Sequence, residues 1–136
     1  MAKSQFQSNG SKWIRPTRRL ALYLRDKFTC LYCKRDLHGA RPADVTLDHL
    51  VPLSRGGTHG NENLVTSCKM CNSQRQDRDW RAFARMKPAG AEQRVTRATV
   101  KSLSKYLCLA QDLRARDERA QGPVVTTSSD EFRLAA

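Results

Sequence analysis

The sequence predicts a small α+β fold, in which two short strands lie between two cysteine pairs and helices flank them on both sides. The pairs are Cys30-Leu31-Tyr32-Cys33 and Cys68-Lys69-Met70-Cys71. Between them, residues 44–49 and 63–67 are predicted strands, because β-branched and apolar residues are bounded there by Pro52 and the Gly56-Gly57 turn. Before and after the pairs, apolar residues recur at the spacing of a helix.

Three helices are expected around this central segment. The first covers residues 17–28, and the second begins near Lys69 and runs through Trp80 until Pro88 stops it. The third is amphipathic, with one continuous apolar face. That face comprises Val100, Leu103, Leu107, Ala110 and Leu113.

Length and composition favour a single domain. A chain of 136 residues is long enough for one domain and too short for two of ordinary size. Residues 1–12 are polar and are expected to be disordered, and residues 119–136 are expected to form a flexible C-terminal tail. The single domain is therefore predicted at residues 13–118, with its core at residues 30–86. A hydrophobic core of this size is small, so a disulfide bond or a bound structural metal ion would stabilise it.

The charge balance indicates the class of partner. The chain has 25 Lys and Arg against 13 Asp and Glu, for a net charge of +12. Such an excess favours a polyanion, and nucleic acid is the commonest one, although a basic surface kept for solubility is the alternative. No stretch approaches the roughly 20 apolar residues that span a bilayer, and the N-terminal residues do not resemble a secretory signal. We therefore expect a cytoplasmic protein that does not bind membranes.

The two cysteine pairs predict a structural zinc ion. Two Cys-x-x-Cys pairs can supply four thiolates to one tetrahedral Zn²⁺, and a disulfide framework is disfavoured inside a cell. A site closed by four cysteines has no open position for substrate, which indicates a structural role. The predicted ligands are Cys30, Cys33, Cys68 and Cys71, with unrelated free thiols as the alternative. The fifth cysteine, Cys108, is expected to be a small buried apolar residue of the third helix.

The segment between the pairs carries a recognisable motif. It reads LDHLVPLSRGGTHGNENL and is followed by CKMCN. Asp48-His49, then Asn63 fourteen positions after His49, then Asn72 nine positions later, resembles the HNH endonuclease family over residues 30–78. The resemblance is to the branch of that family with two zinc-binding cysteine pairs. It implies a ββα-metal core, in which two strands and a helix grip one metal, and a bacterial or phage-encoded protein that cleaves DNA.

The resemblance also implies a role for each motif residue. His49 is the general base, and Asn63 holds the loop and orients His49 through backbone hydrogen bonds. Asp48 and Asn72 hold a catalytic divalent metal such as Mg²⁺ or Mn²⁺, which prefers oxygen ligands. Because neighbours on a strand point to opposite faces, Asp48 and His49 share one site only if the strand ends or twists there. His59, in the glycine-containing loop, is a further candidate for contact with phosphate or metal, against simple solvation.

Several arginines are candidates for contact with the DNA backbone. Arg75 and Arg78 follow Asn72 by three and six positions, so a continuous helix would place them beside the metal site. The other candidates lie in the loop and on the first helix: Arg55, Arg18 and Arg19, with Arg15 and Arg25 extending the track. For each arginine alone, the alternative is a solvated side chain. No base-reading motif is present, so strong sequence specificity is not predicted.

The sequence therefore predicts a metal-dependent HNH endonuclease that hydrolyses DNA phosphodiester bonds by nicking or double-strand cleavage. Two alternatives stay open. One is a zinc-ribbon-type DNA-binding protein, and the other is a phage packaging accessory protein with little intrinsic cleavage. DNA is the expected partner, and the sequence leaves open whether a second protein or a second copy of the chain also takes part.

Overall fold

A computed structural model describes residues 13–135, with side chains described through residue 120; the predicted disordered segment 1–12 lies outside these residues. The described part has five α-helices and two strands, which confirms the α+β class. In chain order the elements are α1 (Pro16–Arg25), β1 (Val45–His49), β2 (Leu64–Cys68), α2 (Lys69–Arg75), α3 (Trp80–Arg85), α4 (Ala91–Thr99) and α5 (Ser104–Ala135). No described helix is both long enough and apolar enough to cross a membrane.

The two strands form an antiparallel hairpin whose register sets the positions of the two candidate sites. Val45 pairs with Cys68 at one end, and His49 pairs with Leu64 at the other. With a rise of about 3.4 Å per residue, these ends lie about 14 Å apart. Because Cys68 is also the residue that caps α2 at its N-terminus, the sheet passes directly into that helix. The cysteines therefore lie at one end of the hairpin and His49 at the other.

The hairpin separates two apolar clusters. Because successive residues of a strand point to opposite faces, Val65 packs into one cluster and Leu64 into the other. The first cluster joins the cysteine loops to α3 and α4 through Tyr32, Phe83 and other buried residues. The second joins β1 to α1 and α5 and includes Leu22, Leu47, Leu103 and Ala110.

The end of α1 is bound to the outer edge of β2 by a buried ion pair. Arg25 Nε donates to Asp26 Oδ1 at 2.7 Å, and its Nη2 donates to the carbonyl of Leu64 at 2.6 Å. The Asp26 carboxylate in turn accepts the backbone N–H of Thr66 at 2.9 Å. Arg25 is therefore a buried structural residue, and its predicted place in a DNA-binding track is wrong.

The predicted continuous helix from Lys69 to Pro88 is broken in the structure. The chain leaves α2 at Gln76, whose φ of 53° is rare for a residue with a Cβ atom. It re-enters a helix after Asp79, whose side chain accepts the N–H of Ala82 at 3.1 Å and so caps α3. The periodicity of the apolar residues continues across this break and does not reveal it.

The predicted third helix begins only at Ser104, and α4 precedes it as a separate helix that the sequence did not predict. The chain turns between Val100 and Leu103, so Val100 is 78% exposed while Leu103 is buried. Cys108 is exposed on α5, so its predicted burial is wrong. The backbone of α5 is helical through Ala135, where the sequence predicts a loose tail from residue 119. Only Arg119, Ala120 and Gln121 continue the strong helix formers beyond that boundary, before Gly122-Pro123, and the flexibility of the tail stays a prediction.

Candidate functional site

The four paired cysteines converge on one point. Their Sγ atoms all lie within 4.8 Å of one another, and those of Cys33 and Cys68 are 3.8 Å apart. Four sulfurs around one zinc ion at about 2.3 Å lie about 3.8 Å from each other. None of the four forms a disulfide. The predicted convergence is confirmed, and the cluster could hold a structural zinc ion.

The electrostatics of the cluster also suit a cation. Burial raises the pKa of the Cys30 thiol to about 11, and burial followed by the charge of neighbouring cysteines raises the pKa of Cys71 as well. Burial acts in the same direction on Cys68, but hydrogen bonds from Cys71 and the other cysteines outweigh it and hold the pKa of Cys68 below its ordinary value. Several thiolates at such short distances repel one another, and a bound divalent cation removes that repulsion.

At the other end of β1, Asp48 lies in a buried hydrogen-bond network. It is 5% exposed, and its Oδ2 accepts the hydroxyl of Tyr32 at 2.7 Å. Both carboxylate oxygens accept from Arg75 Nη1, at 2.8 and 2.7 Å. Burial raises the pKa of Asp48, and the positive charge of Arg75 and the hydrogen bond from Tyr32 oppose that shift.

Arg75 is a structural residue in this arrangement. It is 1% exposed, and besides Asp48 it donates to the carbonyls of His49 at 2.6 Å, Leu50, and Arg78 at 3.0 Å. The predicted contact between Arg75 and DNA is therefore wrong. The prediction assumed a solvated side chain on a long helix, whereas α2 packs this position against the end of β1.

Asn72 lies on the same side of β1 as Asp48. Its Nδ2 donates to Thr46 Oγ1 at 3.0 Å, and Thr46 shares a strand face with Asp48 two residues later. Among the described residues, Asn72 Oδ1 has no hydrogen-bond partner. A carboxylate has about four acceptor positions, of which Tyr32 and Arg75 use three, so Asp48 Oδ1 keeps one. One carboxylate oxygen and one amide oxygen are ligands of the kind that a hard divalent cation prefers, while Arg75 already balances the charge of Asp48.

His49, the last residue of β1, takes part in a different cluster from Asp48. Its Nε2 lies 3.0 Å from Nδ1 of His59, and the Trp13 ring packs against both histidines, with centroids 4.9 and 4.7 Å away. Burial, followed by Coulombic interactions with His59 and with the positive charge of Arg75, lowers the pKa of His49. This shift favours the neutral imidazole, which is the form that accepts a proton. Asp48 and His49 are adjacent in β1 and face different neighbours, because successive side chains of a strand point to opposite faces.

Asn63 closes the loop that connects the two strands. Its Oδ1 accepts the N–H of Val51 at 2.9 Å, and its Nδ2 donates to the carbonyls of Val51 at 3.0 Å and Thr58 at 2.8 Å. The backbone of Asn63 also accepts the N–H of Leu50 at 2.9 Å. Asn63 thus fixes the backbone just after His49 and just before His59.

The remaining candidate arginines differ in their freedom to bind a phosphate. Arg78 and Arg15 are exposed, and Arg55 is exposed with an ion pair to Asp77 at 3.3 Å. Two arginines of α1 are partly buried and have protein partners. Arg18 donates to the carbonyl of His59 and to Asn61, and Arg19 donates to Tyr23 and lies over Trp13.

Sequence reasoning missed two residues of these clusters. Tyr32 lies between Cys30 and Cys33. A tyrosine between two predicted zinc ligands could have indicated a buried hydroxyl that donates a hydrogen bond. Trp13 lies 36 residues before His49 in the chain, and no local sequence pattern connects the two residues. His38 lies in an exposed turn beside Asp36.

We expect one zinc ion per chain at the cysteine cluster. Structural zinc contributes roughly 10 kcal/mol or more to folding, so Cys71→Ser should lose the metal and most helical and sheet structure. Elemental analysis and circular dichroism measure the two effects. The exposed Cys108→Ser is the matched control and should keep both metal and fold. Parent protein purified without chelators and found free of zinc would contradict this expectation.

Removing Arg75 should destabilise the fold, because it leaves the Asp48 carboxylate buried and uncompensated. Arg75→Met is expected to lower the free energy of unfolding by about 3–5 kcal/mol, measured by urea titration at fixed zinc concentration. Arg78→Met, at an exposed position three residues later, should change the free energy of unfolding by less than about 0.5 kcal/mol. The double variant Asp48→Leu with Arg75→Met should recover much of the loss, and its failure to do so would argue against a dominant role for this pair.

Comparison with protein-family models gives one match, to the HNH endonuclease family, over residues 30–78. Neither the curated proteins nor the solved structures yielded a match. The matched segment begins at the first cysteine and contains both strands, their loop and α2, whereas α1, α3, α4 and α5 lie outside it. The motif Asp48-His49, Asn63 and Asn72 lies wholly within it. Residues 30–78, a little over a third of the chain, therefore resemble an HNH endonuclease domain.

Proposed function

We propose that this protein is a metal-dependent endonuclease that hydrolyses DNA phosphodiester bonds, with His49 as the general base. The observation that carries the proposal is a half-buried histidine at the end of β1, within the segment that matches the HNH endonuclease model, where burial lowers its pKa. Hydrolysis of a phosphodiester needs a group that takes a proton from the attacking water. Histidine suits that task near neutral pH.

The hydrogen bonds of His49 support this assignment. Its Nε2 faces His59, while its Nδ1 has no hydrogen-bond partner among the described residues. A neutral imidazole with one nitrogen held by a neighbour and the other free can accept a proton at the free nitrogen. Asn63, by fixing the backbone on both sides of the loop, keeps His49 at the surface where a phosphate can approach.

Asp48 and Asn72 would hold the catalytic metal, Mg²⁺ or Mn²⁺, through the one free position on Asp48 Oδ1 and through Asn72 Oδ1. When bound, such an ion stabilises negative charge on the phosphoryl oxygens. The substrate phosphate would cross the end of β1, where Asp48 and His49 are neighbours in the chain. Zinc at the four cysteines would have a structural role only, because that site is closed.

The proposed partner is DNA, bound through its phosphates. A net charge of +12 and the exposed side chains of Arg78, Arg55 and Arg15 support an electrostatic, sequence-independent interaction. Arg18 and Arg19 would contribute less, since each already has protein partners. Further proposals are a cytoplasmic location and a bacterial or phage origin.

One observation favours a second candidate function, a DNA-binding or phage packaging accessory protein with little intrinsic cleavage. Arg75 binds both oxygens of the Asp48 carboxylate and neutralises its charge. A metal bound beside this ion pair is held weakly, and cleavage would then be slow unless a partner protein or a second copy of the chain changed the site. Cleavage by the isolated protein distinguishes the two candidates.

His49→Ala should lower the rate of plasmid cleavage by about 10²- to 10⁴-fold, because that is the usual contribution of a general base. The assay is conversion of supercoiled plasmid to nicked and linear forms in the presence of Mg²⁺ or Mn²⁺. DNA affinity, zinc content and thermal stability should stay close to those of the parent. His38→Ala, at an exposed histidine that is not part of the motif, should cut at the parental rate. A His49→Ala protein that cuts normally, with contaminating nuclease excluded, would leave the binding function as the better account.

Asn72→Ala should raise the Mg²⁺ concentration that gives half-maximal cleavage, because one of two proposed protein ligands is lost. Partners of metal sites typically contribute about 10- to 100-fold in affinity or activity, and an increase of that order is expected here. The exposed neighbour Ser73 provides the control, and Ser73→Ala should leave the metal requirement unchanged. Equal metal requirements in both variants would remove Asn72 from the ligand set.

A further inference from the structure

His59 and His49 are joined by a direct contact between ring nitrogens. The distance from His49 Nε2 to His59 Nδ1 is 3.0 Å, within the range of a hydrogen bond, and the rings are inclined at 60°. A neutral imidazole has one N–H donor and one acceptor nitrogen, so one histidine donates to the other. The pair therefore links the tautomer of His49 to that of His59.

The role of His49 decides the direction of this hydrogen bond. A base that takes a proton at Nδ1 needs a lone pair there, so its own proton must be on Nε2. His49 Nε2–H then donates to His59 Nδ1, which leaves the proton of His59 on its Nε2. After His49 accepts a proton it is an imidazolium, and its hydrogen bond to neutral His59 becomes charge-assisted and about twice as strong.

The position of His59 is fixed by residues from three parts of the chain. Arg18 of α1 donates to the His59 carbonyl, and its Nε donates to Asn61 Oδ1 at 2.8 Å. Asn63 holds the preceding carbonyl, that of Thr58, at 2.8 Å. The Trp13 ring stacks on His59 at an interplanar angle of 26°. Such constraints on a loop residue hold its ring in one orientation.

We propose that His59 is a positioning residue, which accepts a hydrogen bond from His49 Nε2–H and so keeps the proton-accepting nitrogen of His49 free. Trp13 and Arg18 hold His59 in that orientation, and both lie outside the HNH segment 30–78. The catalytic centre thus depends on α1 and the residues just before it. This inference rests on the proposed nuclease function for its kinetic consequence, but the hydrogen bond itself can be measured independently.

The kinetic test compares His59→Ala with His59→Asn on a fluorescent duplex oligonucleotide at saturating Mg²⁺. His59→Ala removes the acceptor and should lower kcat by about 10- to 100-fold with KM and DNA affinity little changed. His59→Asn keeps an acceptor oxygen near the position of Nδ1 and should recover most of that loss. His38→Ala is the matched control and should equal the parent in both constants. A rise in KM with kcat unchanged would make His59 a substrate contact, and equal losses in the Ala and Asn variants would exclude the hydrogen bond as the cause; either result overturns the proposal.

The spectroscopic test does not require activity. In ¹⁵N NMR of the parent at neutral pH, His49 and His59 should both carry their proton on Nε2, with Nδ1 unprotonated. In His59→Ala, His49 should become a mixture of tautomers, while thermal unfolding shows that the fold is kept. Parent spectra with the His49 proton on Nδ1, or an unchanged His49 tautomer in His59→Ala, would overturn the proposal. A parent that does not cut DNA with any divalent metal would defeat the proposed function, and these spectra would still decide the role of His59.

Discussion

The buried guanidinium of Arg75 binds the end of β1 to the end of α2, and the geometry of the candidate site depends on it. Arg75 donates to both oxygens of Asp48 and to the carbonyls of His49 and Leu50. The carbonyls of His49 and Leu50 are backbone groups at the point where the strand ends. The Arg75 side chain therefore fixes the direction of the backbone there. A buried charge of this kind is tolerated only because nearly every donor has a partner. The same ion pair neutralises the charge of the Asp48 carboxylate, which weakens the attraction of that carboxylate for a metal ion.

The short hairpin keeps two kinds of chemistry apart. Its cysteine end contains soft sulfur ligands, three of them buried, whereas the His49 ring at its other end is only half-buried. The five paired residues of each strand separate the cysteines from His49, so a zinc ion bound by the cysteines would lie away from the proposed general base. Tyr32 nevertheless connects them, because it lies between Cys30 and Cys33 and its hydroxyl donates to Asp48. Loss of a metal ion bound by the cysteines would therefore also disturb the Asp48 carboxylate.

Sequence reasoning predicted the features that depend on local patterns and missed those that depend on burial across the chain. The convergence of the cysteines and the two strands follow from spacing and turn residues, and they were predicted. The burial of Arg75 could not be predicted, because an arginine three positions after Asn72 has the same local pattern whether it faces solvent or a buried carboxylate. The break at Gln76 was hidden by apolar periodicity on both sides, although Asp79 was available as a capping signal. Contacts of Trp13 with His49 and His59 depend on α1 docking against the hairpin, which no local pattern encodes.

The contact between the end of α1 and β2 has a consequence for self-association. A two-stranded sheet has two open edges, and an exposed edge is a template for pairing with another chain. On the outer edge of β2, the Leu64 carbonyl accepts from Arg25, and the Thr66 N–H and carbonyl are bound by Asp26 and by the backbone N–H of Leu31. These backbone groups are already satisfied within the same molecule and are covered by the first helix. A foreign strand therefore finds no free hydrogen-bonding groups at these residues, and the fold protects this edge from amyloid-like growth and strand exchange without proline or a β-bulge.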